Sequence, residues 1–172
     1  AGGRSGRLLA LTLTSEITLY ADTDRVEIVT RFENPCRNHR LRAVFDTGIE
    51  AAHSLAEGNF SLVERPVPTP ETSMDSYPQQ RFVSIADADG GLAVFNRGLP
   101  EFEAVRTGHG TRLSLTLLRA VGTLGPRAGA DHPVPGAQCP GPHTMAYALR
   151  PVRPGEGGGD LLQAALDYAT PC

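Results

Sequence analysis

Glu101 and Glu103 are the pair of side chains best placed by spacing to do chemistry. Two positions apart on a strand, they share a face at roughly 6.6 Å by strand rise, inside the window of about 5–9 Å that glycoside hydrolysis asks of two carboxyls. The same spacing arises when two glutamates simply coat a solvent face, which is where glutamate usually lies. Asp87 and Asp89 suggest a calcium loop, but the other ligands of such a loop are missing and an Asp89-Gly90 hairpin turn explains both residues. His39, His53, His109, His132 and His143 show neither HxH nor HExxH spacing, so no local metal clip is encoded. Cys139 has His143 four residues on, yet it lies in a Gly/Pro-rich loop without a nucleophile elbow and reads as an inert thiol. Asn59-Phe60-Ser61 fits a glycosylation acceptor pattern that also arises by chance. With no lysine among the 16 basic residues, Schiff-base, P-loop and amine-base mechanisms are excluded.

The elements that position these residues are strands. Leu8 to Tyr20 is expected as one long strand bulged at Ser15, turning at Asp22-Thr23-Asp24 into Arg25–Glu33, which alternates charged and apolar residues as a half-wet strand does. Further strands are expected at Leu41–Phe45, Asn59–Glu64, Arg81–Ala86, Leu92–Phe95, Glu101–Arg106, Arg112–Leu118 and Thr144–Leu149, with a proline-rich loop from Pro66 to Pro78. Strands without intervening helices predict an all-β, antiparallel β-sandwich. A single short helix is expected over 160–169, with Asp160 at its cap and Leu162, Ala165, Leu166 and Ala169 on its packed face. A Gly-rich linker is expected over 153–159, and residues 1–172 are read as one domain.

Glycine (19) and proline (14) make about a fifth of the 172 residues, which suits turns between strands. The net charge of −3 and the absence of a basic block argue against nucleic acid and membrane surfaces as partners. Cys36, Cys139 and Cys172 form no CxxC pair, so reduced thiols and a cytoplasmic location are expected. A chain that begins at Ala1 and ends at Cys172 is expected to be a piece of a longer polypeptide. Asn, Gln and Arg in sandwich loops suit sugar hydroxyls. Tryptophan is absent, and Tyr77 and Phe102 are the loop-side aromatics for stacking.

The order of several motifs is more specific than any single one: Phe32-Glu33-Asn34, His39-Arg40-Leu41-Arg42, Phe45-Asp46-Thr47-Gly48, Pro78-Gln79-Gln80-Arg81-Phe82-Val83, Phe95-Asn96-Arg97-Gly98-Leu99-Pro100-Glu101 and Pro135-Gly136-Ala137-Gln138-Cys139-Pro140-Gly141-Pro142-His143. From about Leu8 to Tyr168 the chain resembles the C-terminal β-sandwich region of bacterial-type glycoside hydrolase family 38 α-mannosidases.

The resemblance implies a supersandwich of the galactose-mutarotase-like kind and a parent enzyme that cleaves α-mannosidic bonds with retention. Its aspartate nucleophile and its zinc would lie in a catalytic domain that this chain lacks, so no catalytic residue, metal ligand or cofactor is assigned here. It also implies that the chain packs on the catalytic domain of the same polypeptide and meets mannoside substrate at the cleft rim. Arg119 matches an arginine that approaches the sugar, and Asn96, Arg97, Gln138 and His143 are further sugar-cleft or interdomain candidates. A helix followed by no further strands would leave an exposed sheet edge, which favours a homodimer. An independent carbohydrate-binding module and a small hydrolase using Glu101 and Glu103 are the competing readings.

Overall fold

The computed structural model describes residue 6 and residues 8–71, 76–127 and 130–170. Cys172, residues 1–3 and part of the Pro66–Pro78 loop lie outside the described residues. Among the described residues thirteen strands, a 3-10 turn (Pro135–Gln138) and one α-helix follow in chain order: β1 (Leu13–Leu19), β2 (Val26–Asn34), β3 (His39–Asp46), β4 (His53–Glu57), β5 (Leu62–Pro66), β6 (Tyr77–Pro78), β7 (Phe82–Asp87), β8 (Gly90–Asn96), β9 (Glu101–Thr107), β10 (Gly110–Ala120), β11 (Thr123–Arg127), β12 (Ala130–Pro133), β13 (Gly141–Val152) and α1 (Gly158–Ala169).

β2 shows why the strands stack as they do. Ile28, Thr30 and Phe32 are buried and alternate with wetter neighbours, so one face of β2 turns inward. A seven-stranded antiparallel sheet runs β1-β2-β13-β8-β7-β4-β5, and a four-stranded one runs β3-β10-β9-β6. Val83, Ile85 and Val94 of the first meet Phe102, Ala104, Leu113 and Leu115 of the second in one core, as in a sandwich. The expected all-β antiparallel sandwich is therefore the fold. β11 and β12 form a separate ribbon that the sequence reading did not anticipate.

The middle of the larger sheet is covered on both faces. On its outer side Phe82, Ala93, Phe95 and Ala148 pack against Leu161, Ala165 and Tyr168 of α1, which is why Phe82 to Ile85 is buried without alternation. The helix face differs from the expected one: Leu161, Ala165 and Tyr168 face the sheet, an i, i+4, i+7 set anchored by Tyr168 beside Phe95 at 6.3 Å between ring centroids. Tyrosine served here as a core residue, which an aliphatic-only pattern overlooks. The helix starts at Gly158, with Asp160 accepting a hydrogen bond from the Gly157 amide. Just before it, Glu156 is gripped by Arg150, which also holds Asp24.

Other boundaries shift for physical reasons. The strand expected from Leu8 to Tyr20 is β1 alone, because β2 ends its pairing at Leu13 opposite Phe32. Leu62 rather than Asn59 opens β5, since residues 58–61 form the turn closed by the Gly58 amide on the Ser61 carbonyl at 2.8 Å. At the β7–β8 hairpin Asp87 pairs with Gly90, so the two loop residues are Ala88 and Asp89, and the positive φ falls after them on Gly90 (129°). Phe102, taken as a stacking face, is wholly buried, and Tyr77 leans on it at 5.9 Å. With Glu101 and Glu103 facing out, strand parity turns Phe102 inward.

Candidate functional site

Antiparallel pairing brings many loops to one end of the sandwich. Gly141 lies opposite Asn34 and Ala120 opposite His39, so the β2–β3 loop, the end of β10 and the start of β13 are neighbours. Glu101 opens β9 beside the last residues of β10, and Arg119 reaches it there.

Glu101 is the electrostatic centre of this end. Its carboxylate accepts from Thr116 Oγ1 at 2.8 Å, Arg119 Nη1 at 2.9 Å and Arg40 Nη1 at 3.4 Å. Burial alone would raise its pKa, but the hydrogen bonds from Thr116 and Arg119, the Arg119 charge and Arg40 together hold it below its ordinary value. Glu103 is likewise bound to Arg42 at 2.6 Å. The two glutamates are thus ion-paired and not free carboxyls awaiting a glycosidic oxygen. The Arg119 side chain is 57% exposed, and the donors of its guanidinium not used on Glu101 would suit vicinal hydroxyls.

Gln138 and His143 sit at the same end but are occupied with the loops themselves. Gln138 Oε1 accepts from the Asn38 amide at 2.9 Å and Gln138 Nε2 donates to Asn38 Oδ1 at 2.7 Å. Asn34 Nδ2 donates to the carbonyls of Gln138 and Cys139. His143 stacks on Phe32 at 5.2 Å, with Nε2 at 2.9 Å from the Cys139 carbonyl. A Cβ at Gly122 would stand 2.6 Å from Gln138 Nε2 and 3.1 Å from Asn38 Oδ1, so a larger residue there would have to displace the amides.

Asn96 and Arg97 are placed differently. Asn96 is fully buried, donating to the Gln80 carbonyl and accepting from the Leu99 amide, so it shapes the β8–β9 turn. Arg97 donates from Nε and Nη2 to the Tyr168 carbonyl at the end of α1 and lies 4.5 Å over the Tyr168 ring.

A second feature escaped the sequence reading. Glu57 ends β4, buried, and Arg81 grips it through Nε at 2.9 Å, through its backbone amide at 3.0 Å and through Nη2. Hydrogen bonding from the Arg81 side chain outweighs burial and keeps Glu57 below the usual carboxylate range. This pair borders a groove of about 730 Å³ together with Asn59, Phe60, Gln80 and Leu162. The Pro78–Val83 motif was its only sequence signal. Among the described residues no group of three or more His, Cys, Asp or Glu side chains could hold a metal ion.

The fold and this end define an antiparallel β-sandwich domain that presents arginine forks and amides on clustered loops. Residues 6–126 match the glycosyl hydrolases family 38 C-terminal domain, and the chain belongs to that family. It is 31% identical over 170 residues to a Halalkalibacterium halodurans protein named "Putative mannosylglycerate hydrolase", covering 97% of this chain and 18% of the relative. The crystal structure of an alpha-mannosidase from Enterococcus faecalis V583 superimposes with a TM-score of 0.85 at 30% identity, over 98% of this chain and 19% of that one. A glycosyl hydrolase family 38 protein from Enterococcus faecalis gives 0.84 at 30% identity with the same coverage. The chain therefore spans less than a fifth of the relatives it matches.

Proposed function

We propose that this chain is the noncatalytic C-terminal sandwich of a larger family 38 hydrolase of α-mannosidic bonds, that it packs on the catalytic part of the same polypeptide, and that its clustered loops form the rim of the mannoside cleft with Arg119 nearest the sugar. The observation that carries this reading is an uncovered apolar strip. Leu13, Ile17 and Leu19 of β1 lie opposite Phe32, Ile28 and Val26 and so share the inward face of the larger sheet. Yet they are 46%, 68% and 68% exposed, because the four-stranded sheet does not reach them. Such a strip, beside a strand edge that no other described strand pairs, supports a role as an interaction surface.

Any zinc and the nucleophile then belong to the catalytic part. The free thiols of Cys36 and Cys139 suit a cytoplasmic setting, and among the described residues no helix is long and apolar enough to cross a membrane. In isolation the strip is expected to pair two copies of the chain. The test is the double variant Ile17→Asp, Leu19→Asp in the complete polypeptide. Loss of thermal stability and of aryl α-mannoside hydrolysis is expected, with the isolated chain becoming monomeric in sedimentation; full activity and an unchanged melting point of the complete variant would overturn the packing. Hydrolysis of the aryl mannoside by the isolated chain would overturn the noncatalytic role.

A further inference from the structure

We propose that the groove between the β4–β5 turn and α1 is a binding subsite for a neutral pyranose glycoside, separate from the Glu101–Arg119 end and from the β1 strip. Phe60 is the first observation. Its exposure is 108%, so its ring belongs to no core, and it is held at a φ of 61°, a conformation non-glycine residues rarely adopt. The turn around it is closed by the Gly58–Ser61 hydrogen bond, so the ring projects from a defined backbone and not from a loose tail. A flat aromatic face at the mouth of a groove stacks on the C–H face of a sugar ring.

The polar wall supplies the second observation. Gln80 Nε2 donates to Asn59 Oδ1 at 2.6 Å, which fixes both amides. Gln80 Oε1 and Asn59 Nδ2 keep hydrogen-bonding capacity at the groove surface, an acceptor and a donor side by side. Vicinal ring hydroxyls, each donor and acceptor at once, match that alternation.

Charge decides the ligand class. Glu57 and Arg81 are the charged residues lining the groove, and they neutralise each other through a bidentate grip. Glu57 offsets the Arg81 charge that would attract a phosphate or carboxylate, and Arg81 offsets the Glu57 charge that would attract a cation. A neutral polyol needs neither, and Leu62 and Leu162 give its ring carbons an apolar wall. The volume, about 730 Å³, is within the usual range for a small ligand.

The test is a titration of the 172-residue chain with methyl α-D-mannopyranoside, methyl β-D-glucopyranoside and mannobiose, followed by saturation-transfer and amide-shift NMR. Saturable binding of at least one glycoside is expected, with shifts at residues 57–62, 80–81 and 162. Phe60→Ala and Gln80→Ala are expected to weaken it about tenfold each, the equivalent of roughly 1.4 kcal/mol, whereas Phe60→Tyr retains it. Because Phe60 is outside the core, Phe60→Ala leaves the fold intact, which amide-shift dispersion verifies. No saturable binding, or binding unchanged in Phe60→Ala, overturns the subsite. Loss of association with the catalytic part in Phe60→Ala without any glycoside binding overturns it in favour of a protein contact. Ile17→Asp with Leu19→Asp is expected to leave glycoside binding unchanged, so this inference and the packing reading fail separately.

Discussion

Asn38 and Gln138, 100 residues apart, clasp each other amide to amide at 2.7 Å, and the clasp closes the β2–β3 loop onto the segment that leads into β13. Asn38 Oδ1 also accepts the Gly122 amide at 2.9 Å, so three loops meet at one oxygen. Gln138 is thereby spent on holding the end of the sandwich together.

Two substitutions report on this clasp. Gly122→Ala drives a Cβ into Gln138 Nε2, and Gln138→Ala leaves the Asn38 amide without its acceptor. Each is expected to lower stability by about 0.5–1.5 kcal/mol, the net worth of a hydrogen bond whose partners water can reach. Urea unfolding with unchanged m-value is the measurement. Loss below about 0.5 kcal/mol in Gln138→Ala would mean that the clasp is decorative.

Arg97 acts on the last turn of α1. Its two donations to the Tyr168 carbonyl cap a helix end that lacks a basic residue of its own. Arg97→Ala is expected to cost about 1–3 kcal/mol and to speed amide exchange in α1, with Arg97→Lys restoring only part of it because lysine lacks the fork. Burial pushes the Tyr168 hydroxyl up to about 12 from 10.0, against the lowering influence of the Arg97 charge. Removing that charge alone would push it higher still. A Tyr168 that instead ionises near 10 in Arg97→Ala therefore reports release of the helix.

The legible parts of the fold were those with local punctuation. Asp89-Gly90 marked the β7–β8 hairpin, Asn34-Pro35 ended β2, and the Leu/Ala spacing after Asp160 marked α1. What stayed hidden depended on contacts distant in sequence. Nothing about Glu57 announces burial, since glutamate is usually exposed and its partner Arg81 is 24 residues on. Phe60, between Asn59 and Ser61, looks like a strand residue until the turn that expels it is seen. At the site, the resemblance named Arg119 and Gln138 as candidates without bringing them together, and residue type alone could not tell an exposed arginine from an amide used up as a clasp.

Arg119 separates these roles. Its pair with Glu101 is more than half exposed on the arginine side, and Glu101 keeps Thr116 and Arg40 when it is lost. Arg119→Ala is therefore expected to cost less than about 1 kcal/mol of stability. In the complete polypeptide the same change is expected to lower kcat/KM for an aryl α-mannoside by about tenfold or more, the equivalent of a charge-assisted hydrogen bond, with Arg119→Lys between the two. Unchanged kinetics in Arg119→Ala would leave Arg119 as a surface ion pair and nothing more.

Acid should unfold this domain through a small set of carboxylates. Glu57 is held below its ordinary value chiefly by hydrogen bonding from Arg81, and Glu101 and Glu156 are lowered despite burial, by Thr116 with Arg119 and by Arg153 with Arg150. Each binds its proton more readily in the unfolded chain, and stability rises with pH wherever the unfolded state binds more protons. The contribution is therefore complete above the unfolded pKa and lost as pH falls through the depressed folded values. The thermal midpoint is expected to be flat above about pH 5 and to drop steadily below it. Glu57→Gln removes the most buried of these charges while keeping its shape, so the variant should melt lower at neutral pH, decline less steeply in acid and converge with the parent there. Two curves that run parallel down the acid limb would show that the Glu57–Arg81 pair does not set the acid stability, and the drop would then fall to Glu101 and Glu156.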